Sequence, residues 1–78
     1  MDLAKVNEIN RVIKRLSYLD IDPQESDDLK SLGFDSLKIV ELILELEGIF
    51  DVEIKESDLS PDNLVTVGSL YRLFAKYV

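Results

Sequence analysis

Cysteine and histidine are both missing from this chain of 78 residues. Without cysteine there are no disulfides and no thiolate metal sites, and without histidine the commonest metal ligand and the usual general base near neutral pH are gone as well. Much of enzyme chemistry is thereby excluded, and an enzyme is not expected. Basic residues are scarce too: 9 Lys and Arg stand against 16 Asp and Glu, a formal net charge of -7. Such a surface repels phosphate backbones and attracts partners with basic patches, so nucleic acid is not an expected ligand. No apolar run approaches the roughly 20 residues needed to span a bilayer. The opening Met1-Asp2-Leu3-Ala4-Lys5 lacks the charged-then-apolar plan of a signal peptide, so a cytoplasmic protein without a membrane span is expected. There is no internal repeat, no low-complexity tract and no nucleotide-binding glycine loop.

What remains is a short, apolar-rich chain. With 46% hydrophobic residues it can build one compact domain, residues 1–78, but not two, because small chains have little core to divide. From Leu3, the positions Val6, Ile9, Ile13 and Leu16 recur at helical spacing and define a first helix. Between Ser17 and Gly33 the pattern is lost among Asp20, Asp22, Pro23, Ser26, Asp27 and Asp28, which favour turns; this is a long loop. A second helix begins at Asp35 or Ser36 and runs to about Phe50, with Gly48 as a weak or fraying point. A turn-like Asp51-Val52-Glu53-Ile54 link leads to a short helix over Ser57–Asn63, limited by Pro61. Thr66 is placed to cap a last helix in which Val67, Leu70, Tyr71, Phe74, Tyr77 and Val78 share a face. The expected fold is all-α: a small four-helix bundle with three longer helices and one short third helix.

The second helix has one apolar face too many. At about 100° per residue, Ile39, Leu42, Ile43, Leu46 and Phe50 fall in one sector and form its core face. Leu37, Val40 and Leu44 form a separate stripe, with Glu41 and Glu45 just beyond it. Either the helix is buried on two sides, or the stripe is exposed with acidic edges. An exposed stripe suits docking into a groove rimmed by Arg and Lys. Lys38, near Glu41 and Glu45 at helical spacing, is expected to pair there and partly neutralise the acidic edge.

Ser36 is one of seven serines, and a solvated hydroxyl or a helix cap would explain most of them. Its setting is unusual: Leu32-Gly33-Phe34-Asp35-Ser36-Leu37 places it between a glycine turn and the first turn of the strongest helix. A phosphodiester attached there would meet unpaired backbone N–H groups and the positive end of the helix dipole. Asp35 can serve as the N-cap, or help a modifying enzyme hold a metal ion and activate the serine.

At these residues the chain resembles the acyl and peptidyl carrier protein family, whose hallmark is Asp-Ser-Leu opening the second helix. The resemblance continues through Lys38-Ile39-Val40-Glu41-Leu42, Leu46-Glu47, Phe50-Asp51-Val52-Glu53-Ile54 and Thr66-Val67, and so covers essentially the whole chain. It implies that 4'-phosphopantetheine is transferred from coenzyme A to Ser36 by a phosphopantetheinyl transferase, giving an arm that ends in a thiol. A monomeric carrier would then hold an acyl or aminoacyl thioester for a loading enzyme and a downstream synthase or transferase, the sulfur belonging to the cofactor. By position, the family's docking surface implicates Leu37, Val40, Glu41, Leu44 and Glu47. Fatty-acid carriers commonly have an acid where Lys38 stands, and often one at Gly48. The resemblance therefore points to a specialised carrier, for a polyketide, a nonribosomal peptide or a modified amino acid. The competing reading is a carrier-like helical adaptor that binds partners unmodified.

Two other patterns are set aside. Asp20-x-Asp22-x-Gln24-x-Ser26 begins like a calcium loop, but Glu25 occupies the glycine position and Ser31 the place of the closing Glu, so solvated turn carboxylates explain it better. Of Tyr18, Tyr71 and Tyr77, the last two lie on the core face of the final helix, where packing accounts for them.

Overall fold

The computed structural model describes residues 1–78 as three α-helices, α1 (Leu3–Ser17), α2 (Ser36–Phe50) and α3 (Val67–Ala75), with two one-turn 3-10 helices between α2 and α3. None of these helices is long and apolar enough to cross a membrane. α1 starts where the Asp2 carboxylate accepts the Lys5 N–H at 2.9 Å, and Lys14 and Arg15 sit in its last turn, at the negative end of the dipole. Its buried face is Ile9, Val12, Ile13 and Leu16. Tyr18 ends it in the left-handed conformation, φ 59°, which costs a non-glycine residue about 1–2 kcal/mol. α3 is fixed at its start by a capping box, Thr66 Oγ1 accepting from Ser69 N and Ser69 Oγ from Thr66 N, each at 3.0 Å.

One core joins the three helices. Leu42, Ile43 and Leu46 of α2 meet the buried face of α1 and Val67, Leu70, Leu73 and Phe74 of α3, each full burial contributing about 1.5–3 kcal/mol. Ile39 and Phe50 complete the expected core sector of α2 as half-buried flanks. The Phe50 and Phe74 rings meet at 5.8 Å between centroids. α2 runs unbroken through Gly48, where an added Cβ would meet nothing within 4 Å. Gly48→Ala is therefore expected to raise the unfolding free energy by about 0.5–1 kcal/mol in a urea titration, by removing backbone freedom from the unfolded chain.

The long first loop is more ordered than its composition implies. Leu29, Leu32 and Phe34 are buried in the core, and Gly33 turns the chain towards α2 at φ 91°, a conformation glycine adopts without strain. The loop is laced to the start of α3: Leu29 N donates to Val65 O, Val67 N to Asp27 O and Gly68 N to Glu25 O, each at 2.9 Å. Gly68 is needed for this approach, since a Cβ there would lie 2.6 Å from Glu25 Cγ and 3.0 Å from its carbonyl oxygen.

The expected short third helix over Ser57–Asn63 does not form as one element. In its place are two 3-10 turns, Glu56–Asp58 and Pro61–Leu64. Proline forces the residue before it out of the helical region, and Ser60 is extended at ψ 155°. Asn63 ties the turns together by donating to Asp58 O at 2.7 Å. Tyr77 closes this segment onto the end of α3: its hydroxyl donates to Asp58 Oδ2, and Lys55 N donates to the phenol oxygen at 3.0 Å. The Tyr77 bond holds the Asp58 carboxyl below its ordinary pKa, with Lys76 helping. A depressed folded pKa stabilises the fold above the ordinary carboxylate pKa, and that contribution is lost as pH falls through the folded value. Tyr77→Phe is thus expected to flatten the acid side of the stability–pH curve followed by thermal unfolding.

Candidate functional site

Ser36 opens α2 as its first residue, with its side chain exposed. Asp35 is the N-cap in extended conformation, its carboxylate accepting Lys38 N at 2.9 Å. Asp35 O receives Ile39 N, also at 2.9 Å. The N–H groups of Ser36 and Leu37 precede the first hydrogen bonds of the helix and have no partner within the chain. Local sequence explains this arrangement: Gly33 permits the tight turn, Phe34 anchors it in the core at 3% exposure, and Asp35 caps. A phosphodiester on Ser36 Oγ would meet two free donors and the positive end of the helix, so the residues present fit a phosphate-linked group. No group holding three or more acidic side chains is arranged to bind a metal ion.

The second stripe of α2 is outside the core. Leu37 is 82% exposed, Leu44 62% and Val40 55%, and Glu41 is exposed beside them. Glu47, grouped with them by position, has a structural task as well: half-buried, it accepts Ile54 N through Oε2 at 2.8 Å and fixes the link after α2. Between the stripe and the 3-10 turns runs an apolar groove. Ser36, Phe34, Ile39, Leu59 and Leu64 help to line a cavity of about 610 Å³ at its upper end. A smaller cavity of 230 Å³ below it shares Ile39, Leu59 and Leu64 and adds Val40, Ile43 and Leu44. The part played by Leu59 and Leu64 is not visible in the sequence, because the 3-10 turns that carry them reach α2 only through tertiary packing.

Lys38 does not pair with Glu41 or Glu45. Its ammonium turns to the end of α1, donating to Leu16 O and lying 4.2 Å from the centre of the Tyr18 ring. The carbonyls at a helix C-terminus are unpaired and carry partial negative charge, so they compete successfully with exposed carboxylates. Glu45 is instead paired with Arg15 of α1 at 2.9 Å, and the acidic edge is moderated by α1 rather than by Lys38. The remaining tyrosines take no part in the site. Tyr71 donates to Asn10 Oδ1 across α1 and α3, and partial burial pushes its pKa up. In the first loop Gln24 N donates to Asp27 Oδ2 at 2.8 Å, a local turn of the kind expected there.

The family described as "Phosphopantetheine attachment site" matches residues 7–74, and the chain belongs to it. This is the acyl carrier protein family, whose members carry covalently attached 4'-phosphopantetheine and act as carriers rather than catalysts. The acyl carrier protein of Campylobacter concisus is 39% identical over 65 residues, covering 78% of this chain and 82% of its own. That of Campylobacter lari is 48% identical over 48 residues, covering 60% of this chain and 62% of the relative, somewhat under two thirds of its length. Among solved structures, a protein of Mycobacterium tuberculosis described as an acyl carrier protein superposes with TM-score 0.83 at 37% identity, covering 95% of this chain and 99% of the other. A chain from the complex of Bradyrhizobium japonicum glycine:[carrier protein] ligase with its cognate carrier protein superposes with TM-score 0.85 at 28% identity, covering 94% and 97%.

Proposed function

We propose that this is a discrete carrier protein, modified on Ser36 by a phosphopantetheinyl transferase, which holds an acyl or aminoacyl group as a thioester and presents it to a loading enzyme and a downstream synthase or transferase. The observation that carries this reading is an exposed serine hydroxyl at the first position of a capped helix, next to free N–H donors and an exposed apolar stripe. When bound, the arm supplies the thiol that a chain without cysteine lacks. Asp35 sets the geometry of the helix start and stands beside the serine for the transferase. Leu37, Val40 and Leu44 give the partner apolar area, Glu41 gives it charge, and Glu47 closes the lower rim.

The likeness to the carrier of the glycine ligase supports an amino acid attached by a ligase as the cargo. Lys38, where fatty-acid carriers commonly have an acid, agrees with a specialised pathway. The test is loading of the coenzyme A-modified protein with ATP and glycine by the Bradyrhizobium ligase, against loading with a long-chain fatty acid by an acyl-carrier synthetase. A hydroxylamine-labile glycyl adduct that requires prior modification supports the aminoacyl reading. Preferential fatty acylation overturns the specialised pathway, and no adduct with any activated acid after full modification overturns the carrier role.

A further inference from the structure

Tyr18 stands where packing does not account for it. It is the left-handed C-cap of α1, a position that favours glycine or asparagine, yet it is a bulky ring left 83% exposed. The ring is nevertheless held in place. Lys38 Nζ lies 4.2 Å from its centre while donating to Leu16 O, and lies 6.0 Å from the buried Phe34 ring that anchors the turn before Ser36. Through Lys38 the Tyr18 ring is tied to the first turn of α2, the turn that begins with Ser36. Strain kept at an exposed position points to use of the side chain rather than to folding.

Charge around this corner narrows what it fits. α1 carries Lys5, Arg11, Lys14 and Arg15 against the single acid Glu8, in a chain of net charge -7. Lys14 pairs with Asp20 at 3.5 Å and Arg15 with Glu45 at 2.9 Å. The cations at the end of α1 are thus matched by acids, Asp35 and Glu41 stay without ion-pair partners on the α2 side, and between them the corner presents a ring and a phenol. An enzyme that acts on the Ser36 hydroxyl has to close over this turn.

We propose that Tyr18 is a second anchor, beside the α2 stripe, for the phosphopantetheinyl transferase that modifies Ser36, received by an apolar recess with a hydrogen-bond acceptor for the phenol. Lys38 is its positioning residue. The inference rests on Ser36 being the modified residue. The experiment measures modification kinetics by intact mass, using coenzyme A, a broad-specificity phosphopantetheinyl transferase and varied carrier concentration. Tyr18→Gly relieves the left-handed backbone and is expected to raise the thermal midpoint, while raising KM for the carrier about ten-fold, the size of a hot-spot truncation, with kcat nearly unchanged. Lys38→Met is expected to raise KM in the same way, and Lys38→Arg to retain the wild-type value. A Tyr18→Gly protein with unchanged KM overturns the Tyr18 anchor alone. A wild-type protein that gains no mass while a control carrier is converted overturns the Ser36 reading beneath it.

Discussion

Leu46→Ala is expected to cost about 2–5 kcal/mol of unfolding free energy, the usual penalty for a cavity at a fully buried leucine, whereas Leu44→Asp, two residues away, should stay within about 0.5 kcal/mol of wild type, as exposed substitutions do. Leu46 is 0% exposed and Leu44 62% exposed on the same helix. The functional effects should run the other way. Leu44→Asp or Val40→Asp puts a carboxylate into the apolar stripe and is expected to lower kcat/KM for modification or loading at least about ten-fold, as loss of a central interface anchor does. Urea titrations and modification rates on the same preparations separate the two. Equal destabilisation by both variants would mean that the stripe is buried and that partners dock elsewhere.

Phe74→Ala is expected to be the most damaging single truncation of the core, at about 3–5 kcal/mol. Phe74 is 0% exposed, touches the Phe50 ring of α2 at 5.8 Å and sits where α3 closes over α2. Small domains have only about 5–15 kcal/mol in total, so this loss should leave much of the protein unfolded in mild denaturant. A fall of less than about 1 kcal/mol, followed by circular dichroism, would contradict the assignment of α3 to the centre of the fold.

The three longer helices and the place of Ser36 at the start of α2 were legible in the sequence because they follow from local rules. Ile39, Leu42, Ile43, Leu46 and Phe50 share one face of any helix, and Asp35 caps whatever helix begins at Ser36. The features that escaped depend on residues far apart in the chain. Leu29, Leu32 and Phe34 belong to the core although no period marks them, because the loop is held by backbone bonds to Val65, Val67 and Gly68. Lys38 obeys the helical spacing to Glu41, but spacing within α2 contains no information about the carbonyls at the end of α1. Glu47 likewise looks like a free surface acid until the chain returns to place Ile54 N against it. The third helix fails to form for a local reason: Pro61 not only limits its length but also sets the preceding residue extended and divides the segment.

The central claim is that the Ser36 hydroxyl carries the phosphopantetheine arm, and peptide mass spectrometry after incubation with coenzyme A and a broad-specificity phosphopantetheinyl transferase tests it most directly. One phosphopantetheine is expected, located on the peptide containing Ser36, with none on Ser36→Ala, whose circular dichroism and thermal midpoint should match wild type. Modification at another serine, or an unmodified protein under conditions that fully convert a control carrier, would contradict the claim and leave an unmodified adaptor as the better description.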